Sequence, residues 1–416
     1  MNRTALACTA MICTTIACVT ILNAGPTDPP AGPIAGTYKT LAEIEPRTPI
    51  NSTTCPGDAD SLYRITRAGS YYFTGNLTGV SGKSGIEIAV SHVTVDLMGH
   101  VLTGVAGSID GVRVTATTTG VVVRNGSVTQ WGQDGIDLQD SNLSSGGTVE
   151  SINASSNGNN GIHAGRGAVV RACTAEYNGL YGISGNTGST IEACTARNCD
   201  YGGFGGSATT FSRCSSFDND DDGFKLYSGS TATDCVSTNN AGSGYYSSTR
   251  GNSFTRCSAY YNSENGITLY EGNTAADCTV VGSGTHGIVA YGWCLVRNNL
   301  SMNNGFGAGV TDGSGIYVAA YGNTVEANTC ANNDVGILLG DFSGSNRIDA
   351  NSARSNGVSF EINGHDNLVT RNTATGGSPN YSVTAGNSVA PRVSVADSDG
   401  WAGITNANHP FANFGY

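Results

Sequence analysis

The sequence predicts an all-β protein: a single-stranded, right-handed parallel β-helix of about a dozen coils, each about 21 residues long, with a cap at each end. Three observations lead to this prediction. A glycine followed by an apolar residue recurs along the chain, as in "DGIDL", "NGIHA", "DGFKL" and "NGITL". A column of cysteines recurs with the same period. Short alternating segments and Asn/Gly turns lie between them, without a helical period.

The spacing of the two columns defines the repeat. The glycine column consists of Gly111, Gly135, Gly161, Gly182, Gly203, Gly223, Gly244, Gly266, Gly287, Gly315 and Gly336. The second column consists of Cys173, Cys194, Cys214, Cys235, Cys257 and Cys278, continued by Asn299, Asn328, Asn351 and Asn372. Such a repeat is too short for an ankyrin or TPR unit, but it fits one coil of a β-helix, whose apolar face is buried only when coils stack. By alternation, the residue after each glycine points inward and the next one outward.

Composition excludes several kinds of partner. The 416 residues carry a net charge of −12, and only 12% of them are charged. Lys and Arg are scattered along the chain rather than clustered, so nucleic acid and anionic membranes are poor partners. An apolar content of 38% indicates that the chain nevertheless buries a core.

The chain divides into five predicted segments. Residues 1–24 have a basic start, an apolar run and small residues near Ala24, which is typical of a cleaved secretory signal peptide. A Pro/Gly-rich linker (25–36) and an N-terminal cap (37–84) follow. The β-helix occupies 85–377, and 378–416 form a C-terminal cap or tail. We therefore expect an exported monomer, secreted or attached to the cell envelope, without a transmembrane segment in the mature protein.

Ten of the thirteen cysteines lie outside the predicted signal peptide. Equivalent Cβ atoms on adjacent coils are about 4.8 Å apart, which is longer than the roughly 3.5–4.5 Å of a disulfide. The cysteine column is therefore predicted to be a buried ladder of free thiols. The redox state of four cysteines stays open at this point: Cys55, Cys199, Cys294 and Cys330.

A third column lies four residues before each glycine. Its members are Asn157, Asn178, Cys199, Asn219, Asn240, Asn262, Ser283 and Asn332. Stacked Asn side chains can bond along the axis and tolerate left-handed corners. With this Asn-lined turn and coil length, residues 85–377 resemble the right-handed parallel β-helix superfamily, the pectate-lyase-like fold. The "GDADSLYRIT…GSYY" lead-in (57–72) and the "FANFGY" ending (411–416) are similar to those of secreted bacterial β-helix repeat proteins of undefined function.

The stretch "FDNDDDGFK" (217–225) is the first candidate site. Asn219 belongs to the Asn column, and Asp222 precedes a column glycine as an ordinary turn residue. The remaining acidic residues, together with one on the preceding coil, are candidate calcium ligands, because Ca²⁺ prefers oxygen ligands: Asp200, Asp218, Asp220 and Asp221. Resemblance to calcium-dependent pectate-lyase-like enzymes implies that Lys225 would then be the base. The alternative is a solvated acidic turn with Lys225 as its counter-ion.

Other catalytic signatures of this superfamily are incomplete. The Tyr-Gly-x-Asp-Pro-His motif of uronan C5-epimerases is absent from the sequence. Asp221-Asp222 and the "THG" of residues 285–287 resemble polygalacturonase motifs, but they lie three coils apart. Whether the protein is an enzyme is thus left open.

Outward positions along the predicted coils carry a line of tyrosines: Tyr227, Tyr246, Tyr270, Tyr291 and Tyr317. Aromatic faces with a polar tip are suited to sugar rings. The sequence therefore favours an exported protein that contacts an extracellular or cell-surface polysaccharide through one face of the solenoid, without catalysis. The alternative is a calcium-dependent lyase acting on a uronic-acid polysaccharide.

Overall fold

The computed structural model describes residues 45–139, 146–306, 313–394 and 409–416. Residues 47–416 form one compact unit, a parallel β-solenoid. Each regular turn consists of three short strands and three corners. The predicted signal peptide and linker lie outside the described residues. Within those residues, the structure has no helix of the length and apolar character that a membrane span requires.

The first strand of each turn adds to a sheet of fifteen parallel strands, the first sheet. Its strands are Ser61–Ile65, Ser84–Ile88, Val112–Val114, Ile136–Asp137, Ile162–His163, Tyr181–Gly185, Gly202–Ser207, Asp222–Tyr227, Tyr245–Ser247, Ile267–Leu269, Ile288–Ala290, Ser314–Val318, Val335–Leu339, Val358–Ile362 and Tyr381–Val383.

The second strand of each turn forms the second ladder. Its strands are Thr48–Pro49, Gly69–Tyr72, Val93–Asp96, Val169–Arg171, Thr190–Glu192, Thr210–Ser212, Thr231–Thr233, Ser253–Thr255, Thr274–Ala276, Leu295–Arg297, Thr324–Glu326, Arg347–Asp349, Leu368–Thr370 and Ser388–Val389. Two longer strands, Val122–Thr129 and Thr148–Ser155, run through both the second ladder and the third.

The third ladder completes each turn. Its strands are Leu77–Thr78, Val101–Thr103, Thr174–Glu176, Thr195–Arg197, Ser215–Phe217, Val236–Thr238, Ser258–Tyr260, Thr279–Val281, Leu300–Met302, Thr329–Ala331, Ser352–Arg354, Thr373–Thr375, Arg392–Ser394 and Asn413–Gly415.

The fold class is as predicted, but the count of about a dozen coils is too low. The first sheet has fifteen strands, and the solenoid has about sixteen turns. The additional turns come from the two terminal regions, where the glycine–cysteine spacing that defines the repeat is missing. Ser61–Ile65 already pairs with Ser84–Ile88 in parallel, and Tyr381–Val383 pairs with Val358–Ile362.

The core is the continuous interior of the solenoid. The inward residues that follow the column glycines are fully buried, as Ile136, Ile267 and Ile337 show. Three successive turns carry aromatic rings at this position: Phe204 and Phe224 stack with centroids 4.8 Å apart, and Phe224 and Tyr245 with centroids 4.9 Å apart. Because each turn buries its apolar side chains only against its neighbours, stability depends on the whole stack.

Three corners separate the strands, and each carries a ladder of buried polar side chains. The entry corner leads into the first sheet, the exit corner leaves it, and the back corner lies between the second and third ladders. At the entry corner, Nδ2 of Asn219 donates to Oδ1 of Asn240 (2.8 Å) and Nδ2 of Asn240 to Oδ1 of Asn262 (2.9 Å). The same bonds recur at the exit corner, as between Asn323 and Asn346 (3.0 Å).

The predicted Asn column is confirmed with two changes. Asn333, not Asn332, continues the ladder by accepting a 2.8 Å bond from Asn304, which the prediction had missed. The left-handed conformation also falls on the residue before each ladder position: Asn239 has a φ of +55° and Asn332 a φ of +54°. Counting back four residues from Gly336 gave Asn332, because the corner before Gly336 is one residue shorter than the corner between Asn219 and Gly223. No residue was assigned before Gly315, where the turn is longer than the others.

The cysteines lie where the prediction placed them. All ten cysteines of the described residues are free and buried, which includes the four whose redox state the sequence left open. The Sγ atoms of the back corner donate to carbonyl oxygens of the turn before, as Cys214 does to Ile191 (3.4 Å). Burial raises the pKa of Cys199 to about 11 and also raises the pKa of Cys330. Thiols in this state react slowly, since the thiolate is the nucleophile.

Candidate functional site

The outer surface of the first sheet carries one continuous row of side chains in register across all its strands. The row, from the N-terminal end, consists of Arg64, Glu87, Arg113, Asp137, His163, Ser184, Gly205, Lys225, Tyr246, Thr268, Val289, Tyr317, Leu338, Glu361 and Ser382. The pairing confirms the predicted row of positions two residues after each glycine. Its first part, from Arg64 to His163, is charged. Its middle part carries Lys225, Tyr246 and Tyr317, and the row therefore divides into two candidate sites.

Lys225 lies in the middle of the row between aromatic and acidic neighbours. Its Nζ atom is 3.2 Å from Oδ2 of Asp221 and 3.5 Å from Oδ2 of Asp222. The ammonium also lies 4.6 Å from the ring centroid of Tyr201 and 5.5 Å from that of Tyr246. Burial acts to lower the pKa of Lys225, but the charges of Asp222 and Asp221 outweigh it and leave the pKa raised.

This environment is unfavourable for a general base. A lysine that abstracts a proton near neutral pH needs a lowered pKa, whereas the paired carboxylates hold Lys225 in the protonated form. Burial raises the pKa of Asp222 to about 6, and the charge of Asp221 adds to the effect. The geometry thus favours the alternative that the sequence left open, in which Lys225 is the counter-ion of the acidic turn.

The four predicted calcium ligands lie on the entry-corner turns. Asp200, Asp218 and Asp220 are exposed and Asp221 is half-buried. Asp218 occupies the left-handed corner position with a φ of +55°, which gives it a structural role that the sequence did not reveal. Among the described residues, one group of side chains brings three potential metal-ligand atoms within 4.8 Å of one another: Asp134, Asp137 and His163. The four predicted calcium ligands form no such group. Calcium binding at this turn stays a prediction.

The predicted tyrosine line is present, and its rings contact one another. The hydroxyl of Tyr246 donates to that of Tyr270 (3.2 Å), and the rings of Tyr270 and Tyr291 stack with centroids 4.6 Å apart. We call these three residues the tyrosine strip. Tyr246 and Tyr270 are half-buried, and Tyr291 is 40% exposed.

The two outer members of the predicted line have other partners. The hydroxyls of Tyr227 and Tyr181 lie 3.2 Å apart. The ring of Tyr317 lies against His286, with centroids 4.9 Å apart. The line is therefore divided into one group of three rings and two flanking pairs.

A charged cluster on the preceding turns was missed by the sequence prediction. Nδ1 of His163 lies 3.3 Å from Oδ1 of Asp137 and 3.9 Å from Oδ2 of Asp134. Burial acts to lower the pKa of His163, but the bond to Asp137 and the surrounding carboxylates leave it raised. Burial raises the pKa of Asp134, and it raises that of Asp110 on the turn before to about 7. These are the side chains that could bind a metal ion or a cationic ligand.

Glu87 anchors the N-terminal end of the row. It is 3% exposed and lies between two arginines: Nε of Arg64 is 3.1 Å from its Oε1, and Nη2 of Arg113 is 3.0 Å from its Oε2. The pattern of alternating charges, Arg-Glu-Arg-Asp-His, explains how a partly buried charged row is tolerated on this sheet. This row of alternating charges could have been predicted from the sequence, because its residues occupy the same outward position on successive repeats.

The comparisons with known proteins agree with this architecture. The profile of a family described as "Right handed beta helix region" matches residues 203–306. The A-module of mannuronan C-5 epimerase AlgE6 from Azotobacter vinelandii superposes with a TM-score of 0.51 at 17% identity, covering 78% of this chain and 91% of that one. The AlgE4 A-module from the same organism gives 0.44 at 14% identity, with the same coverages.

A mannuronic-acid-specific polysaccharide family 6 lyase from human gut microbiota gives a TM-score of 0.43 at 14% identity, covering 80% of this chain and 86% of that one. No curated protein matches the sequence significantly. Structural similarity at such low sequence identity demonstrates a shared fold and does not demonstrate a shared function. The chain has the right-handed parallel β-helix fold.

Proposed function

We propose that the protein binds a polysaccharide along the outer surface of the first sheet and does not transform it. The observation that carries this proposal is the tyrosine strip, which places three contacting rings on successive turns beside the half-buried Lys225. Successive turns are about 4.8 Å apart, close to the length of one sugar residue. A glycan lying along the axis would therefore meet one ring per sugar.

The composition of the strip supports a sugar ligand over a protein ligand. Each ring offers a hydroxyl as well as an apolar face, which suits a ligand with hydroxyl groups and C–H faces. A hollow of about 390 Å³ opens beside Tyr270, and hydroxyl and charged side chains line the rest of it: Ser228, Ser248, Thr249, Arg250 and Glu271. The epimerase module of similar fold acts on mannuronan by its name, and this supports the class of ligand without transferring the activity.

The test is binding to a panel of neutral and uronic-acid polysaccharides, measured by affinity electrophoresis and calorimetry. We expect Tyr246→Ala and Tyr270→Ala each to weaken binding roughly threefold to tenfold, because each removes one ring from the strip. Tyr260→Ala is the matched control, since Tyr260 is also half-buried but lies on the third ladder. Equal loss in the control, or full affinity in both strip variants, would contradict the proposal.

The lyase alternative has its own measurement. If Lys225 abstracts a proton from a uronate held by calcium, then Ca²⁺ should produce ultraviolet-absorbing unsaturated product, and Lys225→Ala should abolish it. Calcium bound at the acidic turn should also raise the unfolding temperature, and Asp220→Asn should remove that rise. Product formation that depends on Lys225 would overturn the non-catalytic proposal. Export and a monomeric state are further parts of the proposal, and secretion assays and sedimentation test them.

A further inference from the structure

Trp293 lies at the exit corner, one residue before a ladder position. The residue there has a left-handed φ on turn after turn, and glycine supplies it at Gly229, Gly251, Gly272 and Gly322. Trp293 takes the same position with a φ of +54°, as Ala208, Ser345 and Asp366 do on other turns. Glycine adopts this conformation without steric cost, so glycine can replace Trp293 at this corner.

The side chain of Trp293 is unusually exposed for a tryptophan. It is 60% exposed, although an indole gains more from burial than almost any other side chain. One face of the ring lies against the next turn, since a Cβ added at Gly322 would be 2.6 Å from Cε3 of Trp293. Tyr321, 58% exposed, meets the indole edge-on with centroids 6.4 Å apart and an interplanar angle of 82°. The indole is therefore fixed against the next turn, and the ring of Tyr321 packs edge-on beside it.

The adjacent rings of Trp293 and Tyr321 leave apolar surface exposed to water, and contiguous surface of this kind marks a site of ligand contact. The neighbours of Trp293 identify the kind of ligand. Tyr291 of the tyrosine strip precedes it by two residues on the same turn. Glu271 and Tyr270, which line the polar hollow, lie on the turn immediately before, where the N–H of Gly272 donates to the carbonyl of Gly292 (2.9 Å).

We propose that Trp293 is a stacking platform for one pyranose ring of a glycan, at the point where the glycan leaves the tyrosine strip across the exit corner. The apolar C–H face of the ring lies on the open face of the indole, Tyr321 contacts its edge, and its hydroxyls face the hollow. This inference rests on the proposed function and adds to it a specific subsite for one sugar ring.

A flat aromatic ring beside hydroxyl and charged groups fits a pyranose better than a protein surface. A protein partner would need a larger, continuous apolar patch. At this corner, polar backbone groups and the Arg250–Glu271 ion pair interrupt the exposed aromatic rings, so the apolar surface is not continuous over a larger area.

Intrinsic fluorescence tests the proposal directly. The chain has three tryptophans: Trp131 is 1% exposed, and Trp401 can be replaced by phenylalanine to leave Trp293 as the solvent-facing reporter. The probes are cellohexaose, mannohexaose and a mannuronate hexamer. We expect at least one of them to shift the emission of the Trp401→Phe protein to shorter wavelength, with saturation at the Kd that calorimetry gives.

The variant is Trp293→Gly, because glycine is the residue that neighbouring turns use at this corner, so the fold is retained. We expect it to bind the hexamer roughly threefold to tenfold more weakly. Tyr261→Gly is the matched control: Tyr261 is 58% exposed, lies at the entry corner with a φ of +51° and packs on Gly282. We expect its affinity to be unchanged.

The outcomes separate this inference from the proposed function. Full affinity in Trp293→Gly, with weak binding in Tyr270→Ala, overturns the platform and leaves binding along the strip intact. Absence of binding by all three hexamers overturns both. A concentration-dependent dimer that Trp293→Gly dissociates would assign the exposed ring to a second copy of the chain, and it too would overturn the inference.

Discussion

The backbone N–H of Asp134 donates a 3.0 Å hydrogen bond to Oδ1 of Asp110 on the preceding turn, so that two buried carboxyl groups stack directly on each other. Asn160 continues the column by donating from its own N–H (2.7 Å) and its Nδ2 (2.9 Å) to Asp134. An amide would satisfy the same bonds at every position of this column. The two aspartates therefore introduce charge where stacking alone does not require it.

Replacement of Asp110 by asparagine should stabilise the protein above neutral pH. Burial raises the pKa of Asp110 from 3.8 to about 7, so the folded chain holds the proton more tightly than the unfolded chain. Its contribution to stability is greatest below pH 4, falls between about pH 4 and pH 7, and stays low above. We expect Asp110→Asn to raise the unfolding free energy by on the order of 2 kcal/mol at pH 8 and to change little at pH 4.

Urea unfolding followed by circular dichroism at the two pH values measures this effect. Asp341→Asn serves as the control, because Asp341 is exposed. A loss of stability at pH 8 in Asp110→Asn would show that the charge itself is needed, for instance by a bound cation at Asp134, Asp137 and His163.

Loss of the Lys225 ammonium should destabilise the acidic turn in a pH-dependent way. Lys225→Met leaves Asp221 and Asp222 as unpaired neighbouring carboxylates, of which Asp222 is buried. We expect a loss of about 1–3 kcal/mol at pH 8. The loss should shrink as the pH falls through about 6, where Asp222 takes up a proton. Thermal unfolding across this range checks it.

The double variant Lys225→Met/Asp222→Asn provides the internal control for that experiment. Without the buried charge, most of the lost stability should return, since the amide can still accept the 2.9 Å bond from the N–H of Ser243. A loss that is the same at pH 5 and pH 8 would mean that Lys225 acts through packing rather than charge.

The Asn ladder should be a major source of stability. The side chain of Asn240 is fully buried and bonds to Asn219, Asn262 and Ser237. Asn240→Ala removes the acceptor of the Asn219 backbone N–H and one of the two acceptors of its side-chain amide, and we expect it to cost about 2 kcal/mol in urea unfolding. Asn153→Ala, an exposed position on the third ladder, should change stability by less than about 0.5 kcal/mol. Equal effects of the two changes would contradict the ladder's role.

The cysteines should react only after unfolding. Mass spectrometry of the native protein treated with iodoacetamide should show no adduct at the ten buried thiols, whereas treatment in urea without reductant should modify all ten. A count lower by two would identify one disulfide, and peptide mapping would then locate it. Rapid labelling of the native protein would show that the solenoid opens at the back corner.

The repeat made most of the architecture predictable, because a fixed spacing assigns every residue to a column. The outward row from Arg113 to Tyr317 and the six free cysteines of the ladder followed from counting alone. Counting failed where a turn departs from the common length, as at Asn304 and Asn333. It also failed at the termini, where strands form without the repeat signature.

The sites were harder to predict than the columns. Contacts between Tyr246, Tyr270 and Tyr291 depend on side-chain rotamers, which a column does not define. Asp137 and His163 occupy adjacent places in the outward row, so their proximity was visible in the sequence. Because they lie in different repeats, however, no contiguous acidic motif marks them. Trp293 was missed because the exit-corner glycines had not been recognised as a column.

Because successive turns pair in parallel at a constant strand spacing, the distance between two points on the solenoid is set by the number of turns between them. Each turn contacts only its neighbours, so one complete turn of about 21 residues can be duplicated or deleted without changing the packing of the others. Such an event between Glu87 and Tyr291 would change the distance between the charged part of the row and the tyrosine strip by one strand spacing. Gain or loss of whole turns during evolution would therefore change the length of ligand that the surface can bind, while the contacts within each turn are kept.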